Sequence, residues 1–270
     1  MLERFWVEEE KEEHFSACFG LSMVFSFIAI FIAYFLVPFK VSGKELTGLL
    51  AVVLTSLAAA YPLIKYLEDD IKETEEERKK SLKDEFDLLE RHKEEVVIYL
   101  AFFLGVAFAF GLFNSFFPEA FGVQHEVIGE IRPDVVTGRV VDPGFFTEIL
   151  TKNISVFFIT FILSLFLAAG MVFILVWNAS ILGVFISEVS KSLVEVPAIV
   201  LSYLPHGVLE VSAYIVAGLS GFFLSHELRE AIEWEDRSYA LKLMSDSLLL
   251  LGLGFLLLLA GALLESVGTV

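Results

Sequence analysis

A chain of 270 residues with a single cysteine, Cys18, cannot close an intramolecular disulfide. It also lacks a CxxC pair or a Cys/His set with the spacing that zinc requires. Histidine is scarce, and four of the five (His14, His92, His125 and His226) stand at the ends of apolar runs or in polar segments. HExxH, GxSxG and glycine-rich phosphate loops are absent, so the expectation is no catalytic residue, no metal and no cofactor. Positive charge is short as well: 19 Lys and Arg against 36 Asp and Glu leave a formal charge of −17. That balance argues against nucleic acid, and against an anionic lipid surface, as main partner. Amides are few, three Asn and one Gln, a depletion shared by hyperthermophile proteins, so a thermophilic source is expected. No basic, cleavable leader is expected either. The first 14 residues are acidic and the apolar run behind them is too long for a signal-peptide core, so that run is expected to stay as the first membrane helix.

What the chain has in excess is apolar length. Hydrophobic residues make up 56% of it, with 28 Phe, and several runs of about 20 residues match the thickness of a bilayer. The expectation is an all-α polytopic bundle in the cell membrane, with about six transmembrane helices at 14–39, 45–67, 96–117, 154–177, 205–225 and 245–264. Six crossings would leave both termini on one side. Between the second and third, EDDIKETEEERKKSLKDEFDLLERHKEE (68–95) shows Leu82, Phe86 and Leu89 at helical spacing behind a capping-box-like Ser81 and Asp84. It reads as a helical hairpin, and its seven Lys and Arg place it, with the N-terminus, in the cytoplasm. There it is either a docking arm for a protein partner or a solvated pair of helices. The chain divides into an N-terminal unit with this hairpin, 1–95, and a membrane unit, 96–270. On the opposite side, 134–142 reads as a β-hairpin, and Asp142-Pro143 as the start of a short surface helix over 144–151.

The stretch 177–227 is apolar enough for a bilayer, yet it contains Pro197, Pro205, Gly207, His206 and Glu210. Its pieces 180–191 and 197–205 are short for spans, which predicts a re-entrant or broken segment across 178–206. The alternative is one helix over 198–225, kinked at Pro205. His206 and Glu210 are four residues apart on one helical face, continued by Ala213, Ala217 and Gly221. A second small-residue stripe, Ser247, Gly254 and Gly261, follows later. Two such stripes let backbones approach closely and predict a homodimer. An acid at membrane depth costs at least ~2.5–3.5 kcal/mol and therefore faces protein or a water-filled cavity. Glu210 is then a proton or cation site tuned by His206, a contact for a polar substrate group, or a structural group bonded to Asn178, Tyr203 or free backbone. The structural role gains weight from the lack of a second deep acid that would build a relay.

The features Asn153 opening a span, Asn178-x-x-x-x-Gly183, Pro205-His206-Gly207-x-x-Glu210 and the run Ala217, Gly218, Gly221 resemble the stage II sporulation protein M family over 145–264. Ala179 stands where that family often has glycine. The family's namesake is a non-catalytic membrane component of a machine that remodels peptidoglycan during engulfment. The resemblance thus implies a non-enzymatic integral membrane protein, a subunit or scaffold of a membrane complex, with Asn153, Asn178, His206 and Glu210 as its residues of interest. The competing expectation is a transporter or channel with a proton, cation or substrate site at Glu210 and His206.

Overall fold

The computed structural model describes residues 11–37, 40–41, 44–78, 92–130, 143–190, 192, 194–233 and 237–267. Helix α1 (Lys11–Phe31) continues as a π-helical turn, Ile32–Leu36, into a two-residue antiparallel ladder, β1 (Lys40–Val41) with β2 (Lys44–Glu45). Then come α2 (Thr47–Arg78), α3 (Lys93–Asn114), a 3-10 turn (Pro118–Phe121) and α4 (Gly122–Glu130). The second half is α5 (Pro143–Phe166), α6 (Gly170–Val189), α7 (Val196–Glu233) and α8 (Arg237–Val267). Six stretches are long and apolar enough to cross a membrane: His14–Leu36, Thr47–Asp69, Lys93–Asn114, Gly170–Val189, Val196–Arg229 and Met244–Ser266. The apolar part of α5, Leu150–Phe166, is shorter, about 25 Å at 1.5 Å per residue. The protein is a polytopic helical membrane bundle.

Side-chain contacts give each helix a direction. Cys18 Sγ donates to the Ile98 carbonyl near the start of α3, and Tyr34 stacks on Phe113 and Phe117 near its end, so α1 and α3 run parallel. Asn114 Nδ2 donates to Ser187 Oγ and Gly111 meets Gly183, which sets α6 parallel to α3. Met171 against Gly218 and Phe185 against Tyr203 turn α7 the other way. Asn153 facing Glu210, and Phe161 facing Gly221, lay α5 parallel to α7. Gly254 on Val216 and Gly261 on Glu210 make α8 antiparallel to both. The bundle therefore has a near end, where α1 and α3 start, and a far end, where α3, α6 and α8 finish. The short α5 runs from far to near like any crossing helix.

Backbone proximity holds these helices, as expected where lipid removes the hydrophobic drive for helix association. A Cβ on Gly105 would lie 2.4 Å from the Phe19 carbonyl oxygen, and one on Gly183 would lie 2.1 Å from that of Ala107. Fully buried Tyr99, Phe102, Phe110, Phe121 and Phe157 fill the interior, and one core cluster runs from Cys18 to Leu258. Some buried hydroxyls bond back to their own helices, as Ser56 does to the Val52 carbonyl and Thr160 to that of Val156.

Three boundaries differ from the sequence expectation. The span expected over 154–177 is two helices, parted at 167–169. There the chain doubles back so tightly that a Cβ on Gly170 would meet the Leu163 carbonyl oxygen at 2.7 Å. The short helix expected over 144–151 is instead the first part of α5, which starts at Pro143 and continues unbroken. The broken segment expected across 178–206 shrinks to 190–195, because α6 runs through Asn178 and α7 through Pro205. Asn178 donates within its own helix, and Pro205, exposed, lies inside α7, which continues on both sides of it. The alternative of one helix through Pro205 is the observed one. Of the 68–95 hairpin, α2 carries the first arm to Arg78, and 79–91 lie outside the described residues, as does the hairpin expected at 134–142.

Candidate functional site

The residues singled out from sequence lie toward the far end, where α5, α7 and α8 meet. Glu210 sits on α7, partly buried, in the turn after Pro205-His206-Gly207. Asn153 of α5 donates from Nδ2 to Glu210 Oε1 at 2.6 Å, and Tyr214 of α7 donates from its hydroxyl to Asn153 Oδ1 at 3.0 Å. Tyr214, one turn after Glu210, is 5% exposed. From α8, the Glu265 carboxyl lies within hydrogen-bonding reach of Glu210. A Cβ on Gly261 would come 2.8 Å from Glu210 Cγ and 3.3 Å from the His206 carbonyl oxygen, so glycine there lets α8 press onto this turn.

The arrangement joins three helices through one polar chain, from the Tyr214 hydroxyl through the Asn153 amide to Glu210 and then Glu265. Both ends of the Asn153 amide are used, the donor on an acid and the acceptor on a phenol. Two carboxyl groups bond each other only when one carries a proton, so the Glu210–Glu265 contact can hold a proton or, with both ionised, a cation. Within the residues described, no group of three His, Cys, Asp or Glu is placed to bind a metal ion.

Not every expected residue joins this site. Asn178 donates to the Ile174 carbonyl at 2.8 Å and stays in α6. The His206 ring packs edge-on to Tyr203 at 5.6 Å, and no hydrogen bond or ion pair joins it to Glu210 among the described residues. The turn spacing that suggested a His206–Glu210 pair is real, but α5 and α8 supply the nearer partners. Glu265 corrects the expectation of a single deep acid. It lies 55 residues from Glu210 in sequence and one residue beyond the span expected to end at 264. Tyr214 was not singled out, although it continues the 206, 210 spacing by one more turn.

The small-residue stripes are used inside the chain. A Cβ on Gly221 would lie 2.4 Å from the Phe161 carbonyl oxygen, and Ala213 and Ala217 are fully buried. Gly254 faces Val216, Gly261 faces Glu210, and Ser247 Oγ donates to Glu227 Oε2 at 2.8 Å while its carbonyl accepts from Ser220 Oγ at 2.6 Å. Neither stripe is left over for a second copy. At the near end a further polar pair, His92 Nδ1 and Glu95 Oε1 at 2.9 Å, is buried with the His92 ring 4.6 Å from that of Phe223.

Compared with known protein families, residues 17–269 match the model described as Stage II sporulation protein M. The match reaches well beyond the 145–264 segment that carries the motifs and takes in α1 to α3. No curated protein and no solved structure matches the chain.

Proposed function

This chain belongs to the stage II sporulation protein M family, and on that premise we propose that it is a non-enzymatic subunit or scaffold of a membrane complex. The observation that carries this is how the Pro-His-Gly-x-x-Glu turn spends its chemistry. Glu210 is bonded to Asn153 of α5 and faces Glu265 of α8, while Gly261 admits α8 onto the same turn. The motif so arranged clamps three helices together. The partner surface is the charged extension of α2, which continues about 16 Å beyond Leu67 to Arg78, together with the rest of 68–95.

The orientation we favour puts the near end in the cytoplasm. Its basic cluster in 68–95 supports that side, and the α7–α8 connection, with Arg229, Arg237 and Lys242, falls at the same end. Counting the short α5 as a crossing gives an odd number, which carries the end of α8 to the outside. A membrane of six crossings would have exposed those basic residues outside. The amide-poor composition supports a thermophilic source. A homodimer would have to use faces other than the two stripes.

The test is native extraction in polymer nanodiscs followed by single-particle mass measurement. The account expects a particle whose mass is not a multiple of the 30.2 kDa chain. It also expects the extra mass to vanish when 72–90 are replaced by a short Gly-Ser turn. Homomers alone, from wild-type cells, would overturn it. A second reading, a proton or cation carrier, draws support from one specific observation: Glu265 supplies the second carboxyl that a relay at Glu210 requires.

A further inference from the structure

The chain packs two three-helix units upside down to one another. Helices α1, α2 and α3 run near to far, far to near and near to far. The α2 direction follows from Tyr99, early in α3, whose hydroxyl donates to the Leu63 carbonyl late in the α2 span at 3.3 Å. Helices α5, α6 and α7 make the same three passes in the opposite sense. In each unit the third helix rests on the first through one glycine. A Cβ on Gly105 would strike the Phe19 carbonyl oxygen and Ser22, and one on Gly221 would strike the Phe161 carbonyl oxygen and Ser164. A Phe-x-x-Ser turn thus receives the glycine both times. The middle helix packs three residues earlier: Phe102 lines a crevice with Pro62 and Leu63 of α2, and Gly218 meets Met171 of α6. The units are inverted-topology repeats, and the shift that lays Gly221 on Gly105 lays Glu210 on Glu94.

They differ in what covers them. Helix α8 belongs to neither unit and lies along the groove between α5 and α7. There Gly254 sits on Val216 and Phe157, the Phe255 ring lies 6.0 Å from Phe157 and 6.4 Å from Phe158, and the Ser247 carbonyl accepts from Ser220. The matching positions between α1 and α3 are Leu100, Phe15, Ser16 and Leu104. Ser16 and Leu104 are exposed, as are Val97 and Phe108 on the same side of α3, so no described helix of the chain lies over this groove. We infer that it is the seat of one transmembrane helix of a partner subunit, crossing from far end to near end, antiparallel to α1 and α3 as α8 is to α5 and α7. The inference rests on the complex proposed above and gives it a surface inside the membrane. The seat defines its occupant. That helix is apolar, with a small residue facing Phe15 and Leu100 as Gly254 faces Phe157 and Val216. Its near end carries a Lys or Arg, complementary to the exposed Glu94 and favoured on the cytoplasmic side.

The experiment puts photoreactive benzoylphenylalanine, one position at a time, in place of Val97 and Phe108 in the groove and of Leu57 and Leu256 on the exposed faces of α2 and α8, in the full chain in its native membranes. On irradiation, the two groove positions should each join the same second protein, within one uncharged run of about 20 residues. The Val97 attachment should lie about three turns closer to the C-terminal end of that run than the Phe108 one, the order an antiparallel helix gives. Leu57 and Leu256 should not join it, and Glu94→Lys should lower the Val97 yield severalfold. Groove adducts with lipid alone or with a second copy of the chain, attachments in the reverse order, or a yield that Glu94→Lys leaves unchanged would overturn the seat. Particle mass separates the two failures: heteromeric particles without a groove adduct refute the seat alone, and homomers alone refute the complex with it.

Discussion

Removing the Asn153 side chain should cost more than removing either of its hydrogen bonds alone. In Asn153→Ala, Glu210 Oε1 loses a donor at 2.6 Å and the Tyr214 hydroxyl loses its acceptor at 3.0 Å. Tyr214 is 5% exposed, so its hydroxyl has little water to turn to. Interhelical hydrogen bonds in membranes contribute on average ~0.6 kcal/mol and at most ~1.7. Two of them, plus a buried group left without a partner, give about 1–3 kcal/mol for Asn153→Ala. Tyr214→Phe removes only the second bond and keeps the ring packing, so about 0.5–1 kcal/mol is expected. The assay is equilibrium unfolding by SDS titration in mixed micelles, on the two single variants and the double. In the Tyr214→Phe background, Asn153→Ala has one bond fewer to lose, so the cycle should show a coupling of about 0.6 kcal/mol. Strict additivity, or an Asn153→Ala protein as stable as wild type, would refute the three-helix network.

Gly183→Leu should destabilise the bundle by about 1–3 kcal/mol or more, since even its Cβ would lie 2.1 Å from the Ala107 carbonyl oxygen and 2.9 Å from the Gly111 nitrogen; thermal unfolding in detergent reads this directly. Gly207→Ala meets open space in the middle of a helix and should instead raise stability by about 0.4–1 kcal/mol, because alanine loses less chain entropy on folding. The Tyr34 hydroxyl, donating to the exposed Glu119, holds that carboxyl below the usual glutamate range. The stabilisation from this bond is thus present above the unfolded-state pKa and is lost as pH falls through the lowered folded one. Tyr34→Phe should move the Glu119 titration, followed by carboxyl carbon NMR, back upward. Membrane-impermeant thiol reagent should reach Val194→Cys, 86% exposed on the α6–α7 link, from outside the cell and should not reach a cysteine at 75; the reverse pattern would invert the orientation.

That about six stretches are long and apolar enough to cross a membrane was legible because about 20 residues of Phe, Leu, Val and Ile have few other stable fates. The missed boundaries have a common cause. Ala168, Ala169 and Gly170 look like a packing notch inside a span, and only the tertiary return of the chain against Leu163 turns them into a break. Asn178 and Pro205 look like breaks, yet α6 and α7 continue through them, Asn178 bonding back to the Ile174 carbonyl. Glu210 and Asn153 could be picked out as polar residues in apolar surroundings, though nothing in one dimension says that they touch. Glu265 was hidden by its place after the last Leu of an apolar run, where an acid is ordinarily solvated. The available signal was Gly261, four residues earlier on the same face, marking a helix side that lies against another backbone.

The claim that the Pro-His-Gly-x-x-Glu turn clamps helices rather than passing ions is tested most directly by flux. Wild type and Glu210→Gln are reconstituted in liposomes, a pH step and a cation gradient are applied in turn, and the melting temperature of each protein is measured alongside. The substituted amide keeps an oxygen for Asn153 and gains an N–H donor for Glu265, so a clamp survives while the titrating group is gone. The account predicts no flux from either protein above empty liposomes, and a melting temperature for Glu210→Gln within a few degrees of wild type. Flux in wild type that disappears in an equally stable Glu210→Gln protein would contradict it.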